Sequence, residues 1–304
     1  MSKFWQQVVL TLSLLVMTSW GTVSGEEESD LEVIDLTYDV GDDSIYWPIY
    51  PPVSFNILQR GINNNNGLYM EYNTFGMAEH TGTHSDAPAH FIQGGWRAHR
   101  VPPSRLVGQG VVVDVSAKVK DNHTYKLTVE DLLDWEARYG QIPKNSVVFV
   151  HTGWGERYPN KTLVFNSATG NDTDPSTFRF PSMEGDAASF LANNRTLLAV
   201  GVDVPGPDLN VDPHPAHVAL LSKRVLILEN VANIDRLPTK GATIVIGMIK
   251  LYDGSGGPSR LLAITGTVNP KPCNCPTGSG QRVGMSVSVV AILLAVLIAA
   301  VAFM

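Results

Sequence analysis

The sequence predicts a mixed α and β domain built around a single core. Three observations lead there. Val- and Ile-rich runs recur along the chain, each bounded by Gly, Pro, Asn or Asp, as buried strands are. A smaller number of stretches carry helical start and stop signals. The two cysteines, Cys273 and Cys275, both lie in the turn-rich PKPCNCPTG, so the body has no disulfide and must rely on its own apolar core.

The strand candidates begin with LEVIDLT and continue with GVVVDV (110–115), SVVFVH (146–151), LLAVGVDV (197–204), VLILEN (225–230), TIVIGMIKLY (243–252) and RLLAITGTV (260–268). Helices are expected in three places. TVEDLLDWEARYG (128–140) has Thr128 and Asp131 at capping-box spacing and a stop at Gly140. MEGDAASFLANN (183–194) and HPAHVALLS (214–222) are shorter. NNNN (63–66) and NSATGNDTDPST (166–177) read as exposed loops. There is no internal repeat.

The two terminal regions read as processing signals. Residues 1–25 carry Lys3, an apolar run through VVLTLSLLVM, and small residues at Ser24 and Gly25 before Glu26, Glu27 and Glu28. That order predicts a secretory signal peptide cleaved near Gly25, against a membrane anchor or a buried helix. Residues 281–304 include a charge-free apolar run from Val287, and small residues at Gly278, Ser279 and Gly280 lie upstream. Small site, polar spacer and apolar tail predict a lipid-anchor (GPI) signal, with a single-pass membrane helix as the alternative. Residues 269–280 would be a stalk and 26–268 the functional domain. Both readings of the tail put the protein in the secretory pathway, on the extracellular face of the plasma membrane.

The chain of 304 residues has a net charge of −7. It carries no basic patch, which argues against a nucleic-acid partner. Four N-x-T sequons, at Asn122, Asn160, Asn171 and Asn194, suit a glycosylated exterior.

The densest chemistry is HTGTHSDAPAH at 80–90. Gly82 and Pro88 oppose a helix interior there, so a loop is expected, one that aims several side chains at one point. Imidazoles with a carboxylate suit Zn²⁺, Mn²⁺ or Fe²⁺, and the absence of cysteine in the body leaves histidine and carboxylate as the available ligands. A structural metal site is the competing explanation. A second group lies at 214–229, where His214 and His217 open a helical stretch and Glu229 closes the strand VLILE. A carboxylate there is either solvated at a sheet edge or a ligand. The H-E-x-x-H helix of metalloproteases is missing.

HTGTHSDAPAH fits the H-x-G-T-H-x-D-x-P-x-H motif, and the chain resembles the cyclase family of metal-dependent hydrolases, which includes bacterial kynurenine formamidase and isatin hydrolase. YWP (46–48), VVVDV (111–115), HTGW (151–154), GVDVP (201–205), HPAH and ILEN extend the resemblance over about residues 32–268. It implies a single-domain swivelling β/β/α fold and a homodimer. It implies one or two divalent ions, Zn or Mn, held by His80, His84, Asp86, His217 and Glu229. His90 would move the proton, and Trp47 would line the pocket of a small, aromatic substrate. The implied reaction is hydrolysis of a formamide, amide, cyclic imide or lactam C–N bond by a metal-activated hydroxide. The rival expectation is a non-catalytic extracellular module that retains a metal. Two departures stand out: Gly206 follows Val204-Pro205 where formamidases have serine, and His151 precedes Thr152-Gly153.

Overall fold

The computed structural model describes residues 31–64, 66–209 and 213–266. In chain order the strands are β1 (Glu32–Asp35), β2 (Ser54–Ile62), β3 (Tyr69–Gly76), β4 (His84–Asp86), β5 (Val107–Asp114), β6 (Lys126–Leu127), β7 (Ser146–His151), β8 (Ser182–Met183), β9 (Leu197–Val202), β10 (Leu226–Glu229), β11 (Lys240–Met248) and β12 (Gly256–Thr265). The main sheet runs β1-β12-β11-β5-β7-β9-β10-β4, and β4 also pairs with β12, so the sheet closes on itself like a barrel. The mixed α/β class expected from the sequence is the class observed.

The four central strands β5, β7, β9 and β10 are parallel. Parallel strands are buried on both faces, which is why they read as unbroken apolar runs rather than as alternating ones. Val111, Val113, Val148, Val150, Val200 and Ile227 face one core, shared with helix residues Leu132, Trp135, Leu191 and Leu220. Their neighbours Val112, Val147, Phe149, Leu198, Leu226 and Leu228 face a second core, together with Ile244, Ile246 and Leu261 of β11 and β12, so strands buried on both faces separate two cores where the sequence suggested one. Phe149 is fully buried against Gly201, where an added Cβ would lie 2.6 Å from its ring. Truncating Phe149 to alanine would cost about 3–5 kcal/mol.

The helix Val129–Tyr139 forms as its caps dictate. The Thr128 hydroxyl accepts from Asp131 N, the Asp131 carboxylate accepts from Thr128 N, and Gly140 ends the helix at φ 85°. The helices Gly185–Asn194 and Pro215–Ser222 also lie where expected. The NNNN stretch falls in the connection between β2 and β3, a hairpin the sequence reading did not anticipate.

One expectation is corrected. The 80–90 segment is not a loop throughout: His84–Asp86 is a strand between β10 and β12, and Pro88–His90 is a short 3-10 turn. Its local sequence does not favour a strand. Partners on both edges satisfy its backbone, and that tertiary pairing decides the conformation. Among the described residues no helix is long and apolar enough to cross a membrane. The expected signal peptide, the stalk and the apolar tail lie outside the described residues.

Candidate metal centre

The register of the barrel builds the site. β4 places His84 directly opposite Glu229 of β10, while on its other edge Asp86 is opposite Gly256 of β12. Side chains separated by more than a hundred residues are thereby fixed on rigid backbone. The helix Pro215–Ser222 contributes His217 from its first turn.

The five expected ligands converge. His80 Nδ1 lies 2.7 Å from Asp86 Oδ1, and His84 Nε2 lies 3.3 Å from both Asp86 Oδ1 and Glu229 Oε2. His217 Nε2 lies 3.2 Å from Glu229 Oε1 and 3.6 Å from Asp86 Oδ2. All five side chains are buried. The half-buried His90 stacks on His80, with ring centroids 3.9 Å apart, and it shares a ligand-sized cluster with Asp86 and His217.

Each histidine is oriented through its other nitrogen, as metal-binding imidazoles usually are. His84 Nδ1 is 2.9 Å from Gly82 O, and His217 Nδ1 is 2.7 Å from Asp208 Oδ2. His80 Nε2 is 2.9 Å from Ser255 Oγ, whose hydroxyl donates to Glu79. The Asp208 carboxylate also accepts from the backbone N–H groups of Ala216 and His217, so it ties the start of the helix to the ring.

The donor set fits a divalent cation. Buried His84 Nε2 and Asp86 Oδ2 face charged neighbours at 3.3–3.6 Å but none in hydrogen-bond geometry, an expensive arrangement for polar atoms unless they serve as ligands. The electrostatics agree. Burial works against ionised Asp86, but His90, His80 and His217 hold its carboxyl well below the usual range. Burial also opposes a charge on His84, yet Asp86 and Glu229 raise it to about 10. His217 is raised in the same way, by Asp208, Asp86 and Glu229 against its burial. The carboxylates therefore demand positive charge, which a cation would supply in place of protons. His90 is different: burial pushes it down to about 4, so its ring is neutral at pH 7.

Residues 34–209 match the family described as putative cyclase. The chain belongs to the cyclase family. It is 27% identical over 249 residues to isatin hydrolase of Roseibium aggregatum, covering 77% of this chain and 92% of that one. It is 25% identical over 228 residues to kynurenine formamidase of Bacillus mycoides, covering 75% and 94%. Among solved structures it superposes on isatin hydrolase A from Labrenzia aggregata bound to benzyl benzoate, with a TM-score of 0.70, 28% identity, and coverage of 84% of this chain and 100% of that chain.

The other residues singled out in the sequence have these surroundings. Trp47 is half-buried and packs with Phe165, Phe178 and Phe180, at 5.7 Å from the Phe178 ring. The rings beside the histidines are Tyr50, 6.3 Å from His80, and Phe91, 4.5 Å from both His90 and His217. His151 is not at the metal centre. It ends β7 opposite Asp114 of β5, with Nδ1 3.2 Å from its carboxylate, and it lines a separate cavity of about 690 Å³ that also touches Asp203. Gly206 does lie at the centre: a Cβ there would stand 3.2 Å from Glu229 Oε1. Asp208, Ser255 and Glu79 were missed, because nothing in their local sequence distinguishes them from turn residues.

Proposed function

We propose that the protein is a metal-dependent hydrolase that opens the C–N bond of a formamide, amide, cyclic imide or lactam in a small aromatic substrate. The observation that carries this reading is His90, stacked on His80 beside a cluster that already has five other ligand-type side chains. A purely structural site has no use for a sixth titratable group.

His80, His84, Asp86, His217 and Glu229 would hold the ion. When bound, a divalent cation there supplies a water acidified toward neutral pH and a Lewis acid for the substrate carbonyl. His90 accepts a proton from the attacking water at a ring nitrogen and returns it to the leaving nitrogen. Stacking on His80 and edge contact with Phe91 fix the plane in which that nitrogen moves. Tyr50 and Phe91 offer flat apolar surfaces beside the centre, which favours aromatic substrates.

The test is to purify the protein, strip it of metal, restore Zn²⁺ or Mn²⁺, and follow N-formylkynurenine, isatin and a panel of aryl formamides, imides and lactams. Metal-dependent turnover of at least one member supports the reading. No turnover of any member with a fully loaded site would overturn it.

A further inference from the structure

His151 is fixed through one ring nitrogen and open at the other. Its Nδ1 lies 3.2 Å from the Asp114 carboxylate, and its Nε2 has no hydrogen bond among the described residues. The ring lines the cavity of about 690 Å³ at the carboxyl ends of β5, β7 and β9, which neither His90 nor any of the five expected metal ligands lines. Crevices beyond the carboxyl ends of parallel strands are where such sheets bind ligands, and small-molecule sites measure about 300–1,000 Å³.

The cavity has an apolar floor and a charged mouth. Trp154, Val231 and Ile234 are buried at its base, and at its side Tyr38 stacks on Tyr158 with ring centroids 3.7 Å apart. Lys120, Glu156 and Asp235 are exposed where they line it, and among the described residues none of them forms an ion pair. Arg157 forms none either: its guanidinium lies 3.6 Å from the Trp154 ring and donates to Leu163 O. The buried carboxylate of the cavity, Asp203, is already satisfied, since it accepts from Thr152 N, Gly153 N and the Thr152 hydroxyl. Charges of both signs are thus open together at the mouth, above a base that can take only an apolar group.

We propose that this cavity is a second ligand site, one that takes a free aromatic amino acid. The ring fills the apolar base beside the stacked tyrosines. The carboxylate meets Lys120 and Arg157, and the ammonium meets Glu156 and Asp235. With Nδ1–H given to Asp114, the neutral His151 ring presents Nε2 as an acceptor, which suits an ammonium N–H. A ligand of one charge only would meet like charge at the mouth: Glu156 and Asp235 oppose a simple anion, and Lys120 and Arg157 oppose a simple cation. The site needs neither metal nor turnover, so it stands apart from the hydrolytic reading.

Calorimetric titration of the purified full chain with L-phenylalanine, 3-phenylpropionate and phenethylamine tests this. Phenylalanine should bind at one site per chain, about tenfold more tightly than either singly charged analogue. Lys120→Glu should weaken phenylalanine and phenylpropionate and spare phenethylamine. Asp235→Lys should weaken phenylalanine and phenethylamine and spare phenylpropionate. Both side chains are exposed, so the variants should melt like wild type, and that opposite selectivity is one that a general loss of folding cannot produce. The inference fails if phenylalanine, tyrosine and tryptophan all show no saturable binding at millimolar concentration, or if a singly charged analogue binds as tightly as phenylalanine. It also fails if both variants bind phenylalanine like wild type, which would put the ligand elsewhere on the chain.

Discussion

His84 and Glu229 face each other across the antiparallel pairing of β4 and β10, and His84 Nε2 lies 3.3 Å from Glu229 Oε2. The register of two strands therefore sets the spacing of two proposed ligands. Glu229→Gln keeps the volume but removes the charge. We expect the purified variant to lose bound metal, measured by mass spectrometry of metal content, with turnover falling in parallel. The fold should survive, because replacing one carboxylate also relieves repulsion from Asp86. Full metal occupancy in the variant would remove Glu229 from the ligand set.

His90→Ala separates proton transfer from metal binding. A general acid–base group contributes about 10²–10⁴ in rate. The expected outcome is a loss of kcat in that range with metal content and melting temperature near wild type. His90 also lies within ligand reach of Asp86 and His217. A variant that loses metal and stability together would instead make His90 a ligand.

Gly256→Ala is the steric counterpart. A Cβ at Gly256 would lie 2.6 Å from His80 Cε1 and 2.8 Å from the Ser85 carbonyl oxygen. Backbone on that side cannot yield without breaking the β12–β4 pairing, so the ring must turn away from Asp86. Disturbing the support of a ligand typically reduces metal affinity about 10–100-fold. Metal titration of the stripped variant, read beside its thermal unfolding, checks this. Unchanged affinity would mean that His80 does not bind the ion.

Away from the centre, acid stability should depend on Glu136. Arg195 Nε donates to Glu136 Oε1 at 2.6 Å, a second guanidinium nitrogen donates to Oε2, and Ile142 N donates to Oε1. The Arg195 pair holds the carboxyl below its ordinary 4.5. A depressed carboxyl stabilises the fold above its unfolded pKa, and that contribution is lost as pH falls through the lower folded value. Glu136→Gln should therefore destabilise the protein at pH 7 by about 1–3 kcal/mol, with the gap narrowing below pH 4.5. Denaturant melts across that range would show it. A gap that is constant with pH would rule out the ionised pair as the cause.

The sequence and the structure agree best where one physical signal dominates. The strands β5, β7, β9 and β10 announce themselves because burial on both faces leaves no polar position. The helix at 129–139 does so because its cap residues have one use. The candidate cluster was legible only in part: histidine density in HTGTHSDAPAH singled out His80, His84 and Asp86, while His217 and Glu229 joined them only through the family resemblance. What was not legible is set by long-range pairing. β4 is a strand only because β10 and β12 flank it. Asp208 and Ser255 matter only because the fold brings them to His217 and His80. Trp47 lies among Phe165, Phe178 and Phe180, and no local pattern announces that partnership. The β2–β3 hairpin hid because its turn is an asparagine run rather than a short glycine turn.

The final prediction concerns the exterior. Asn122, Asn160, Asn171 and Asn194 are all exposed. In two of the four sequons the threonine hydroxyl donates to the asparagine amide oxygen: Thr124 to Asn122 at 3.0 Å and Thr173 to Asn171 at 2.7 Å. That turn holds the side-chain amide on the surface, so a glycan there needs no rearrangement of the core. Asn160 is more constrained, because its amide oxygen accepts from Leu163 N and caps the helix Lys161–Phe165. In a eukaryotic cell that routes the chain through the secretory pathway, N-glycosidase treatment should increase its gel mobility. Asn122→Gln and Asn171→Gln should each remove one step of that shift, and Asn160→Gln should also loosen the short helix. If the cell-made protein keeps its mobility after the enzyme, the sequons are unused and the expectation of a glycosylated extracellular domain is wrong.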